Sequence, residues 1–254
     1  MTKSPQTPEK SWTMLQALNW TASYFQSHGI DSPRASAEIL LAHALKLRRI
    51  DLYVRYDQPL QPAELEGYKS LIRRRVEREP VAYITGEKEF WSLSFRVAPS
   101  VLIPRPETEC LVEAALAVFA DDEPLRIWEP GTGSGAVSIA VAKERGRCRM
   151  FSSDRSPEAL ALARQNAVRH QVIDRVDFFA ADWFEAFSGR MRPFDAVVCN
   201  PPYVPEPDIE ALAPEIVRFE PRQALNGGAD GLDALRRLIR EAPDLRRDPQ
   251  RIFA

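Results

Sequence analysis

Several kinds of site are excluded by what this sequence lacks. Its 254 residues hold three cysteines (Cys110, Cys148 and Cys199) and three histidines. No CxxC pair occurs and no cysteine is grouped with a histidine, so neither a zinc site nor a disulfide framework is expected; the pattern is that of a reduced, cytoplasmic protein. No apolar run reaches the roughly 18 residues of a membrane span. The N-terminus MTKSPQTPEKSW has no apolar stretch of the signal-peptide type. A charge excess is missing too: the formal net charge is −2, which disfavours a chain that coats nucleic acid or membranes. Internal repeats and low-complexity segments are absent. The expectation is a monomer with no membrane association, no stable nucleic-acid partner and no metal.

What is present is periodic. From about residue 10 to 80 the spacing is helical. Leu15, Leu18, Ala22 and Phe25 fall on one face, with Gly29 placed to end that helix. Ser32 and Pro33 read as the N-cap and first position of a second helix, whose apolar face is Ala37, Leu40, Leu41, Ala44 and Leu45. A third, from Ala63 to Arg78, turns Leu65, Tyr68 and Ile72 inward. The run Arg73-Arg74-Arg75 reads as a solvated helix face. Residues 89–104 alternate and are rich in aromatics, the mark of a hairpin connector. Beyond it a helix from Glu107 to Ala120 precedes strands alternating with helices: LRIW, CRMFSS, RVDFFA and FDAVVC. That alternation predicts a parallel, doubly wound sheet in residues 105–254, behind a small all-helical domain over 1–88.

Two stretches carry chemistry. EPGTGSGAVSIAVA (129–142) is a strand, a turn with Gly131, Gly133 and Gly135, and a helix. Glycines admit close ligand approach, and a helix N-terminus offers unpaired N–H groups. Asp154 ends the next strand about 20 residues on, where a carboxylate suits ribose hydroxyls. This half of the pattern fits a dinucleotide as well as another nucleotide-like cofactor. Asp182 and Trp183 end the third strand, placed for an adenine amino group and an adenine face. The second stretch is Asn200-Pro201-Pro202-Tyr203, a proline-stiffened elbow leaving the fourth strand. A primary amide has two N–H donors. The Asn200 oxygen and the Pro201 carbonyl are two fixed acceptors for them, with Tyr203 as an aromatic wall. Such acceptors aim a weakly nucleophilic nitrogen and support the charge that develops on it. An NAD-dependent dehydrogenase would have no use for this elbow.

Together GTGSG (131–135) and NPPY (200–203) resemble amino-directed methyltransferases that use S-adenosylmethionine. PVAYITGEKEFWSLSFRVAPSVLIPRPETE (80–109) and RFEPRQALNGGADGLDALRRLI (218–239) resemble one family among them, the release-factor glutamine methyltransferases. The resemblance spans roughly residues 10–240. It implies a Rossmann-like class I methyltransferase domain and transfer of methyl to the side-chain amide nitrogen of the glutamine in the GGQ motif of class 1 peptide chain release factors. S-adenosylhomocysteine would be the product, and the N-terminal helices would dock the release factor. Glu129, Gly131, Thr132, Gly133, Ser134, Gly135, Asp154, Asp182, Trp183 and Asn200 would hold the cofactor. Asn200, Pro201, Pro202 and Tyr203 would hold the glutamine, and Arg105 and Glu107 would support the substrate channel. Two departures stand out. Glu129-Pro130 replaces the family's aspartate and apolar residue, with the carboxylate kept. After residue 245 the chain reads RRDPQRIFA where the family continues with a further strand, a helix and an antiparallel pair. The sheet order 3-2-1-4-5-7-6 is thus expected to be cut to 3-2-1-4, with FDAVVC as an exposed apolar edge. Methylation of a nucleic-acid amino group, or a truncated, inactive release-factor-binding protein, are the alternatives.

Overall fold

The computed structural model describes residues 11–118, 124–186, 194–241 and 252–253. The chain divides into two units, Met1–Thr85 and Gly86–Ala254.

The first unit is helical: α1 (Met14–Ser27), α2 (Pro33–Leu45), α3 (Asp51–Val54), α4 (Pro62–Val76) and α5 (Val81–Thr85). A capping box starts α1, the Gln16 N–H donating to Thr13 Oγ1 and the Thr13 N–H to Gln16 Oε1. Leu18 and Phe25 of α1, Leu40 and Leu41 of α2, and Tyr68 and Ile72 of α4 share one core. Two expectations are corrected here. Ser32 has φ of 48° and makes no side-chain cap bond. Ser32 does hold the N-cap position before Pro33, but a capping hydroxyl works from extended backbone, so its side chain adds nothing to the helix start. The arginine run is a solvated face only in part: Arg73 is exposed, but Arg75 is not. Arg75 is buried and donates to the Glu79 carbonyl at 3.1 Å, while Arg74 grips the Glu79 carboxylate at 2.6 and 2.7 Å. The reason is spacing: Tyr68, Ile72 and Arg75 are four and three residues apart, one stripe of α4.

The second unit opens with a hairpin, β1 (Glu87–Phe90) and β2 (Leu93–Arg96). Trp91 and Ser92 form its two-residue turn with φ of 52° and 54°, the left-handed pair that matches strand twist. The hairpin therefore begins and ends earlier than 89–104, and Phe90 and Phe95 sit in the main core of this unit. Helix α6 (Glu109–Val118) follows, then β3 (Arg126–Pro130), α7 (Ala136–Glu144), β4 (Arg149–Asp154), α8 (Pro157–Arg169), β5 (Val176–Ala180) and β6 (Ala196–Val198). Helices α9 (Pro214–Phe219) and α10 (Asp233–Glu241) precede β7 (Ile252–Phe253).

The sheet runs β5-β4-β3-β6-β7 with every pairing parallel. Alternate residues feed opposite faces: Ile127, Met150, Ala196 and Val198 join the core with α6, α7 and α8. Trp128, Val197 and Cys199 pack with Phe194 and Leu238 on the other. The chain moves outward from β3 to β5 and returns to β3's other side with β6. The crevice at the carboxyl ends of β3 and β6 is the switch point where such sheets bind ligands. Contrary to expectation, the FDAVVC strand is not a bare edge. Val197 and Val198 pair with Ile252 and Phe253, and the Cys199 N–H donates to the Phe253 carbonyl at 2.8 Å.

Candidate active site

Glu129 and Pro130 close β3 and the glycine turn begins. Gly131, Gly133 and Gly135 have φ of 68°, 55° and 80°, a region costly for residues with a Cβ. Their environments differ. A Cβ at Gly131 or Gly133 would meet nothing within 4 Å, whereas one at Gly135 would stand 3.0 Å from Ile139 Cδ1 and 3.1 Å from Ala163 Cβ. Gly131 and Gly133 thus keep open space beside the turn. Gly135 lets α7 approach α8 and does not line the cavity. The turn's N–H groups are less free than expected: Thr132 donates to the Ser153 carbonyl, Gly133 to Asp154 Oδ2 and Gly135 to the Thr132 carbonyl, all at 2.8–2.9 Å. Gly133→Ala is expected to weaken S-adenosylhomocysteine binding more than it lowers thermal stability, and Gly135→Ala to do the reverse. Calorimetric titration and thermal unfolding of the pair check this; equal effects on both readouts would contradict the division.

Glu129 is buried, its carboxylate accepting from Thr132 Oγ1 at 2.7 Å and from the Ser138 hydroxyl. The extra methylene relative to aspartate is absorbed by reaching the first turn of α7. Burial pushes its pKa up, against the hydroxyl bonds from Ser138 and Thr132 and with help from Asp154, to about 7. The sign follows from linkage. Between its ordinary value near 4.5 and about 7 the folded state holds more protons than the unfolded one, so this group makes stability fall as pH rises across that window. Glu129→Gln is expected to flatten that part of the profile. Urea midpoints at the two ends of the window, for wild type and variant, measure it; identical slopes would contradict the assignment.

Asp154 ends β4. Its Oδ2 accepts from Gly133 and its Oδ1 from the Ser156 N–H, each at 2.9 Å. A carboxylate has about four acceptor positions, so two remain open on a side chain fixed at both oxygens. Asp182 and Trp183 follow β5. Trp183 has φ of 53°, an outlier for a bulky residue. Its ring packs partly against the Trp128 cluster. Asn166, fully buried on α8, was not singled out from the sequence. Its amide donates to the Ser134 and Arg96 carbonyls at 2.9 and 3.0 Å and accepts from the Arg96 N–H at 2.8 Å. It therefore ties the glycine turn to the hairpin. The available signal was a polar residue next to the buried stripe Ala159, Ala163 and Ala167.

Asn200 and Pro201 leave β6 at the same end. The Cys199 thiol, just before them, points at the Pro130 carbonyl at 3.5 Å. Asn200 Nδ2 donates to Thr108 Oγ1 at 3.3 Å. Beyond Pro202 the chain is clamped by residues 225–231: the Val204 N–H donates to Leu225, Gly227 to Val204, and Glu206 to Gly228, at 2.8–2.9 Å. Tyr203 is 60% exposed and stands outside the cavity lining. Arg105 is also outside the cavity lining. Its guanidinium meets Glu220 at 2.6 Å, and the other Glu220 oxygen accepts from the Ile103 N–H at 3.2 Å. Glu107 is exposed.

One cavity of about 160 Å³ gathers the rest: Glu129, Gly131–Ser134, Asp154, Asp182 and Trp183 on one side, Asn200, Pro201, Pro202 and Thr108 on the other. Arg155 and Gln223 bridge at its mouth, both Arg155 Nε and Nη2 donating to Gln223 Oε1 at 3.0 and 2.5 Å. Among the described residues no cluster of His, Cys, Asp or Glu has metal-binding geometry, and no helix is long and apolar enough to cross a membrane.

A doubly wound sheet with this turn, and an amide-bearing elbow opening into the same cavity, define a methyltransferase of the S-adenosylmethionine-dependent class. A family model described as Methyltransferase domain matches residues 127–219, and one described as PrmC N-terminal domain matches residues 16–86. Release factor glutamine methyltransferase of Geobacter sulfurreducens is 43% identical over 244 residues, 96% of this chain and 82% of that protein. Its Coxiella burnetii namesake is 43% identical over 83% of this chain and 74% of that protein, and that of Escherichia coli 40% identical over 85% and 76%. The chain belongs to the release factor glutamine methyltransferase family.

Proposed function

We infer that this enzyme transfers a methyl group from S-adenosylmethionine to the side-chain amide nitrogen of the GGQ glutamine in a class 1 release factor. The observation that carries the reading is the shared cavity: Asn200, Pro201 and Pro202 open onto the space kept clear at Gly131 and Gly133 and flanked by Asp154. The residues fit the cofactor. The two remaining acceptor positions of Asp154 suit ribose hydroxyls, Asp182 an adenine amino group and Trp183 an adenine face. Bound there, S-adenosylmethionine supplies an electrophilic methyl whose sulfur departs neutral. Asn200 Oδ1 and the Pro201 carbonyl accept the two amide hydrogens, which aims the nitrogen and stabilises the positive charge that builds on it. The methylated nitrogen, now cationic and strongly acidic, would pass one of those hydrogens to water as a proton. Pro201 and Pro202 hold the acceptors in place beforehand. Exposed Trp20 and Tyr53 of the helical unit suit docking of a protein partner.

The test offers radiolabelled S-adenosylmethionine with either a class 1 release factor or an adenine-containing oligonucleotide. Label on the release factor alone is the expected result. Label on the oligonucleotide alone would replace the reading with nucleic-acid amino methylation.

A further inference from the structure

We propose that Thr108 is a positioning residue for this reaction, holding the Asn200 side chain so that its carbonyl oxygen faces the substrate; the inference rests on the reading of Asn200 given above. The two residues are far apart in sequence, yet Asn200 Nδ2 donates to Thr108 Oγ1 at 3.3 Å and both line the cavity. Among the described residues no other side chain bonds to the Asn200 amide, so Thr108 is its anchor and Oδ1 is left open. Orientation is what matters at this position. An asparagine amide is nearly symmetric in shape but presents an acceptor at one end and two donors at the other. Turned the wrong way, it would set its own N–H groups against those of the substrate amide. In the observed orientation the Thr108 hydroxyl accepts from Nδ2, which ties down the donor end and leaves Oδ1 facing the cavity. A methyl group in the same place removes that bond and leaves the amide free to swing.

Thr108 is itself well held. It closes the single turn Pro106–Thr108, its N–H donating to the Arg105 carbonyl at 3.0 Å. On one side of that turn Arg105 is fixed by Glu220, whose side chain is only 2% exposed. On the other, Glu109 accepts from the Trp91 N–H at 2.8 Å. Arg105 and Glu109 therefore act at one remove. They immobilise the turn from both sides, and Thr108 delivers that rigidity to Asn200. This gives the PRPETE stretch a role at the reacting amide although only its Pro104 and Thr108 reach the cavity.

The test compares Thr108→Val, Thr108→Ser and Asn200→Ala in the full chain. The readouts are kcat and KM for release factor, and the Kd of S-adenosylhomocysteine. Thr108→Val is expected to lower kcat about tenfold to a hundredfold, the range set by misplacing a positioned group, with little change in cofactor Kd. Thr108→Ser, which keeps the hydroxyl, is expected to restore most of the rate. The double variant Thr108→Val with Asn200→Ala is expected to be no slower than Asn200→Ala alone, because the hydroxyl acts only through that amide. Full turnover in Thr108→Val beside a crippled Asn200→Ala would overturn the role of Thr108 and leave the reading of Asn200 standing. Equal losses in the valine and serine variants would assign Thr108 a purely structural part and also overturn it. Near wild-type turnover in Asn200→Ala would instead remove the underlying reading.

Discussion

Asn200→Ala is expected to slow methyl transfer to release factor by about a hundredfold or more, the scale seen when one preorganised side-chain partner of a charged transition state is removed. The amide is half-buried at the end of β6 and opens into the cavity, and the alanine leaves room that water can enter. Water is a mobile acceptor; it can satisfy an N–H bond in the ground state but arrives unoriented. The loss should therefore fall on kcat, with KM for release factor and affinity for S-adenosylhomocysteine changing much less. β6 packs through Ala196, Val197 and Val198, all fully buried, and none of these contacts involves the Asn200 side chain. Unfolding midpoints close to wild type are expected. A variant that turned over at nearly the wild-type rate would exclude Asn200 from orienting the substrate.

The second large effect is expected at a residue that never touches substrate. Gly231 has φ of 80°, and a Cβ there would lie 2.5 Å from the Tyr203 carbonyl oxygen and 3.2 Å from Pro205 Cδ. The obstacle is backbone, so it cannot swing away as a flexible side chain would. Gly231→Ala combines a left-handed backbone cost of about 1–2 kcal/mol with overpacking of about 1–3 kcal/mol. It is expected to destabilise the protein by roughly 2–5 kcal/mol. The displaced segment is the one that follows Pro202, held to residues 225–228 by Val204 and Glu206. Residual folded enzyme should therefore also show a lower kcat. Urea unfolding and steady-state kinetics measure the two effects; unchanged stability would mean that the elbow is not clamped from this side.

How far the sequence carries to this fold varies by element. α1, α2 and α8 were legible because one apolar face repeats with a helical period, whereas α7, β3 and β6, buried on every side, were legible as short apolar runs alternating between strand and helix and bounded by turn residues. Arg75 was misread because a charged residue was weighed by type rather than by its place three residues after Ile72 on the buried stripe. β7 was not legible: two residues carry no period, and their pairing with Val197 and Val198 depends on chain that folds back from far along the sequence. The gathering of Gly131, Asp154, Asp182 and Asn200 follows from strand order, since each ends a parallel strand or begins the turn after it. Arg105 and Tyr203 are different. Both stand next to cavity residues in sequence, but a carboxylate 115 positions away draws the first out of the lining. The clamp at residues 225–231 governs the path of the second. Partners that distant leave no mark on local pattern.

The most direct test of the central claim is tandem mass spectrometry of a class 1 release factor after incubation with this enzyme and S-adenosylmethionine. A single methyl on the side-chain amide nitrogen of the GGQ glutamine is the predicted result, absent when Asn200→Ala replaces the wild type over the same time. A methyl on any other residue, or an unmodified glutamine under conditions where S-adenosylhomocysteine binds, would contradict it.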